Sequence, residues 1–176
     1  MSTADVLTIE ESFLSKPLDG ASRQDLLDFE SLILEQEGSI KGTKNPECPL
    51  THTFSDGIYV RQIEIPAGMF VTGRIHKHDH PNFLLKGEVL VITESGREHL
   101  VAPVSMISKP GTKRALYSIT DLVWTTVHLN PTNTQDIDEL ELMLSAENYE
   151  EYDKYVHDKG SIVKRLKRSL IKLLSI

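Results

Sequence analysis

The chain has 176 residues, 39% hydrophobic and 26% charged, the make-up of a globular protein with one core and modest extensions. It has no run of about 18 apolar residues, so a membrane-spanning helix is excluded, and the opening MSTADVLTIEESF lacks the basic start and apolar centre of a secretory leader. The net charge is −7, yet six of the 19 Lys and Arg (Lys159, Lys164, Arg165, Lys167, Arg168, Lys172) lie in the acid-free stretch 159–176, so the body is strongly acidic and should repel nucleic-acid phosphates.

Residues 1–57 read as a lead-in. Ser22 and Asp25 resemble a capping box, and Leu26, Phe29, Leu32, Ile33 and Gln36 keep a helical period that Gly38 stops, predicting a helix over 23–37. Residues 38–57 are rich in Gly, Pro, Asn and Ser and read as a loop. Cys48 is the single cysteine, so no intrachain disulfide can form, which fits a reducing, cytoplasmic setting. It has no context that would activate a thiolate and reads as a small buried residue.

From 58 to 130 the pattern changes. IYVRQIEI alternates, with Tyr59, Arg61, Ile63 and Ile65 on one face. After the Pro66-Ala67-Gly68 turn come MFVTGRIHKH, NFLLKGEVLVI with a Gly at its bend, REHLVAPVSMIS, KRALYSI and DLVWTTVHL. Short strands rich in Val, Ile, Leu and Thr, separated by turn signals, predict a mostly β protein, an antiparallel sandwich or barrel. Tyr117 and Trp124 read as core aromatics.

Residues 131–176 return to helix. Pro131 makes a break, and Asp136 or Asp138 can cap a helix carrying Ile137, Leu140, Leu142, Met143 and Leu144; a further helix through ENYEEYDKYV is expected to end at Gly160. Glu150 and Glu151 read as a solvated helix face. In the last segment, Ile162, Leu166, Leu170 and Leu173 form one stripe beside basic residues. Such a tail can pack on its own domain or a second subunit, making a homo-oligomer, or can meet a protein partner or an anionic membrane surface through 161–176.

The chemistry-bearing stretch is Gly73-Arg74-Ile75-His76-Lys77-His78-Asp79-His80-Pro81-Asn82, running on to Gly87. On a strand, His76 and His78 share a face about 7 Å apart at Cα, close enough to converge on one ion. On a straight strand three such residues would span about 13 Å and converge poorly, so His80 can join only if the chain turns back near Asp79 and Pro81. The candidate ligand set is therefore His76, His78 and His80.

This stretch resembles the first motif of the cupin family: a Gly, a His-x-His, a Glu and a second Gly. Counted back from Gly87, the Glu position falls on His80. The second motif, a Pro-x-Gly followed by a His, is matched by Lys109-Pro110-Gly111-Thr112-Lys113-Arg114, with Arg114 in place of the His. The resemblance covers 58–130 and implies a small double-stranded β-helix, or jelly-roll barrel, with an N-terminal helix and C-terminal helices added. The ending PGTKRALYSITDLVWTTVHLNP is similar to small cupin-like proteins encoded by bacteriophages, which would place the protein in a host cytoplasm or a virion.

The usual cupin Glu and last His are thus missing. Arg has no lone pair to give a metal. Three imidazoles would suit a divalent transition metal (Fe, Zn, Ni or Cu) better than Mg or Ca. Arg114, with Lys113 beside it, can instead take a carboxylate or phosphate. His128 shares a face with Trp124 and Thr126; it is either a core histidine or an added residue of the same pocket. His52, His99 and His157 read as surface residues. These features support a metal-dependent enzyme of unknown reaction and unknown catalytic residues, a non-catalytic small-ligand module, or a phage structural or assembly protein.

Overall fold

The structure, a computed structural model, describes residues 20–37, 39–40 and 45–174, with backbone alone for 165, 166 and 168–174. The first described element, α1 (Arg23–Leu34), opens on the capping box: Asp25 N–H donates to Ser22 Oγ at 3.1 Å, and Ser22 N–H to Asp25 Oδ2 at 2.9 Å. It ends at Leu34, short of the expected residue 37. There Gln36 N–H reaches back to the Ile33 carbonyl (3.1 Å), a tighter turn that satisfies a terminal carbonyl and stops propagation.

The strands are β1 (Leu50–Ser55), β2 (Ile58–Ile65), β3 (Phe70–Thr72), β4 (Ile75–His76), β5 (His80–Lys86), β6 (Glu88–Thr93), β7 (Gly96–Val101), β8 (Val104–Ser108), β9 (Ala115–Ser118) and β10 (Leu122–Leu129). All but β4 form two antiparallel sheets, ordered β1-β2-β10-β5-β8 and β3-β9-β6-β7. The protein is mostly β, with helices at both ends. β1 lies where a loop was expected. Leu50, His52 and Phe54 alternate with Thr51, Thr53 and Ser55, and a strand whose inner face is only half-buried leaves a faint hydrophobic pattern between Pro49 and Gly57.

Ile65, Leu84, Val89, Val91, Leu116, Leu122 and Trp124, on inward faces of both sheets, pack into one core with Cys48. Residues one step along point outward: Ile92 and Ala115 leave the smaller sheet to meet Leu26 and Phe29 of α1. Lys113 adds an ion pair to that seam. Its Nζ, on a residue 1% exposed, lies 2.9 Å from Glu30 Oε1 and 3.1 Å from the Gly73 carbonyl.

The C-terminal part closes one end of the sheets. In α2 (Ile137–Leu144), Leu140 and Leu144 pack on Tyr59. β11 (Ser145–Ala146), not foreseen from sequence, pairs with β4 as Ser145↔His76 and Ala146↔Ile75. α3 (Tyr149–Leu174) then runs through Gly160 where a stop was expected. Gly160 is exposed with nothing packed near its Cα, and a helical Gly costs only about 1 kcal/mol, which a long helix absorbs. Of the expected apolar stripe, Ile162 is 57% exposed; the side chains of Leu166, Leu170 and Leu173 lie outside the described residues. No helix among the described residues is long and apolar enough to cross a membrane.

Candidate metal centre and its cavity

Because alternate residues of a strand share a face, the register of the larger sheet stacks its inward side chains in rows. One row runs across β2, β10, β5 and β8 through Tyr59 opposite His128 and His80 opposite Ser108. The next holds Arg61 opposite Thr126, Thr126 opposite Asn82, and Asn82 opposite Met106. The third, Ile63 with Trp124, Leu84 and Val104, belongs to the apolar core. Histidines thus lie at one end, cations and amides in the middle, hydrocarbon below.

The structure brings together His76, His80 and His128. One ring nitrogen from each lies within 4.8 Å of the others. Ring centroids are 4.0 Å apart for His76 and His80, 4.6 Å for His80 and His128, and 5.3 Å for His76 and His128. His78, expected in the set, is exposed and lies edge-on to Tyr155 at 6.0 Å. The strand breaks after His76, and the bend at Lys77 and His78 removes the alternation that would have aligned His78 with His76. The same bend turns His80 inward. His128 arrives from β10, where Trp124, Thr126 and His128 face inward together.

Backbone contacts fix His76. Besides the β11 pairing, Gly111 N–H donates to the His76 carbonyl at 2.9 Å, and Lys77 N–H to the Leu144 carbonyl at 2.8 Å. The C-terminal extension therefore helps hold a site residue in place.

The ring nitrogens are suited to ligation. His80 Nδ1–H donates to the His78 carbonyl at 3.2 Å, which leaves a lone pair on Nε2; Nε2 is buried without a partner, and so is His76 Nδ1. Thr126 Oγ1 donates to the Arg61 carbonyl (3.4 Å) and so accepts from His128 Nε2–H (3.0 Å), leaving that ring's lone pair on Nδ1. Orphaned buried nitrogens are rare, and two in one cluster of three imidazoles fit a bound cation.

Burial, then the neighbouring His80 and His128 and the two arginines, holds His76 well below its usual value of 6.5. Burial likewise lowers His80, and lowers His128 to about 3 with help from His80 and Arg61. All three rings are neutral at pH 7, the state a metal requires.

Arg114 lies over the Trp124 ring at 5.1 Å and donates from Nη2 to Ser108 Oγ at 2.6 Å and from Nη1 to Asn82 Oδ1 at 3.4 Å. Its Nε is buried without a partner. Burial lowers its pKa to about 10, so it keeps its charge at neutral pH. Lys113, its neighbour, points away into the Glu30 ion pair.

Arg61 was not singled out from sequence, although the alternation of IYVRQIEI places it on the inward face. Burial lowers its pKa too. Among the described residues its guanidinium makes no hydrogen bond and no ion pair. Of the histidines read as surface residues, His99 and His157 are exposed, whereas His52 is half-buried with Nδ1 at 2.7 Å from Tyr59 Oη. Arg61, Arg114, His76 and His128 border a cavity of about 780 Å³, within the range of small-molecule sites, and Ile63, Ile65, Val71, Leu116 and Trp124 supply its apolar wall.

No protein-family model matches the chain, and no curated protein does. Solved structures do resemble it, some of them described as cupins. A cupin superfamily protein from Desulfitobacterium hafniense is 13% identical, with a TM-score of 0.42, over 50% of this chain and 82% of that one. A cupin domain from Bordetella pertussis is 22% identical, with a TM-score of 0.39, over 51% of this chain and 99% of that one. A salicylate 1,2-dioxygenase from Pseudaminobacter salicylatoxidans is 16% identical, with a TM-score of 0.46, over 58% of this chain and 32% of that one.

Proposed function

We propose that this is a cupin-type protein that binds one divalent transition metal through His76, His80 and His128 and uses the adjoining cavity to bind a small anionic molecule. The observation that carries the reading is the cluster of three neutral imidazoles with two buried, unpartnered ring nitrogens. An all-imidazole set suits Fe, Zn, Ni or Cu. When bound, such an ion supplies Lewis acidity or oxygen activation at coordination positions that the three rings leave open. The chain's own residues fix the ring tautomers through the His78 carbonyl and Thr126, exclude water with the apolar wall, and present positive charge to the ligand.

Elemental analysis of protein purified without chelator tests the reading. About one transition-metal ion per chain, removed by chelator and taken up again on dialysis, supports it. No ion before or after loading with Fe, Zn, Ni and Cu overturns it.

Self-association is a second element of the proposal. Leu85, Ile107 and Leu129, on the outer face of the larger sheet, are 53%, 56% and 73% exposed. A phage-encoded assembly protein working in a host cytoplasm would use such a face between copies. Sedimentation at several concentrations tests this, and a strict monomer overturns it.

A further inference from the structure

Arg61 and Arg114 are two guanidiniums that face a cavity and have no carboxylate within 4.0 Å among the described residues. Every partner that Arg114 has is neutral: Ser108, Asn82 and the Trp124 ring. Of the groups that favour the charged form of Arg61, the Tyr59 hydroxyl comes first and Glu141 of α2 second; Glu141 also lines the cavity but makes no ion pair with Arg61. Both residues are half-buried, and a partly desolvated charge without a counter-charge costs free energy that an anionic ligand would offset. The triad adds no negative charge, since all its members are imidazoles.

The row geometry places the two cations. Arg61, Thr126 and Asn82 stand side by side on β2, β10 and β5, so Arg61 and Asn82 are two strand spacings, roughly 10 Å, apart at the backbone. Arg114 is bonded to Asn82, and an Arg side chain extends over half that gap. A small anion above Thr126 lies within reach of both guanidiniums. On one side of it is the histidine row, on the other the hydrocarbon row of Ile63, Trp124 and Leu84.

We infer that the cavity takes a small organic carboxylate with an apolar body, its carboxylate held by Arg61 and Arg114 and its body against Ile63, Ile65, Val71, Leu116 and Trp124. This deepens the reading above by naming the ligand class and a second anchoring residue. It rests on that reading only for the anion and not for the metal. A planar guanidinium pairs with a carboxylate through two parallel hydrogen bonds, whereas a bare inorganic anion would leave the apolar wall uncovered.

Trp124 is the only tryptophan and lies over Arg114, so its emission reports on the site. Metal-free, full-length protein is titrated with hexanoate, hexanamide and inorganic phosphate. Hexanoate is expected to shift Trp124 emission and to bind about tenfold or more tightly than the other two, and Arg61→Gln is expected to weaken it by about tenfold or more. Equal affinity for hexanoate and hexanamide, equal affinity for phosphate, absent hexanoate binding, or undiminished binding by a folded Arg61→Gln each overturns the inference. The acid–amide comparison on the unaltered protein decides the matter if the variant does not fold. Metal uptake by Arg61→Gln, which keeps the triad, is measured separately, so failure of the metal reading and failure of this one are told apart.

Discussion

Trp124 Nε1–H donates to Asn82 Oδ1 at 3.1 Å, on a residue that is 0% exposed. Asn82 also donates from Nδ2 to Ser108 Oγ at 2.9 Å and to the His80 carbonyl at 3.1 Å, and its Oδ1 receives Arg114. One amide thus joins the core aromatic, the cavity-lining Arg114 and the backbone of a triad residue. Asn82→Ala strips a buried indole N–H of its acceptor and is expected to cost about 3 kcal/mol, read from urea midpoints. A loss under about 0.5 kcal/mol would show that the network contributes little.

The seam between α1 and the barrel depends on Lys113 and Glu30. Glu30→Ala leaves an ammonium buried without its counter-charge and is expected to destabilise the protein by about 3 kcal/mol. Replacing both together, as Glu30→Leu with Lys113→Met, should restore most of that loss, because the desolvation penalty disappears with the charge. A double variant no more stable than Glu30→Ala alone would contradict this account of the pair.

Gly87 connects β5 to β6 with φ of +94°, and a Cβ there would lie 2.2 Å from the Asp121 carbonyl oxygen. The clash is with backbone and cannot be relieved by a rotamer change. Gly87→Ala is expected to lower stability by more than about 2 kcal/mol, measured by thermal or denaturant unfolding; near-wild-type stability would show that the turn yields.

The metal-free protein should lose stability as acid is added. The triad rings titrate lower in the folded than in the unfolded state, with His128 at about 3 against 6.5. Between those values the unfolded chain binds protons that the folded protein refuses, so stability rises with pH through the window and falls as pH drops. Each ring in that condition steepens the dependence by about 1.4 kcal/mol per pH unit. Urea midpoints of chelator-treated protein from pH 7.5 to 5 check this, and His128→Asn should flatten the slope. A flat profile in the unaltered protein would contradict it.

Much of this was legible in the sequence because strand alternation and turn residues are local signals. IYVRQIEI and DLVWTTVHL display their inward faces directly, and the Ser22–Asp25 capping box is written in four residues. What was not legible depends on register and on bends. Aligning His78 with His76 assumed a strand continuing past His76; the chain bends at Lys77 and His78, two residues before the turn expected near Asp79 and Pro81, so His80 comes inward and His78 does not. Bringing His128 to the triad takes a pairing across β10 and β2 and across β10 and β5, which no periodicity within a strand encodes. β11 is too short to leave a pattern, yet its two residues hold His76 in place.

The most direct test compares two single variants in a zinc competition titration. His128→Ala, which removes a triad ring, is expected to weaken binding by about 100-fold, while His78→Ala should stay within about threefold of the unaltered protein. Equal losses in both variants, or a greater loss in His78→Ala, would contradict the assignment of His76, His80 and His128 as the metal-binding set.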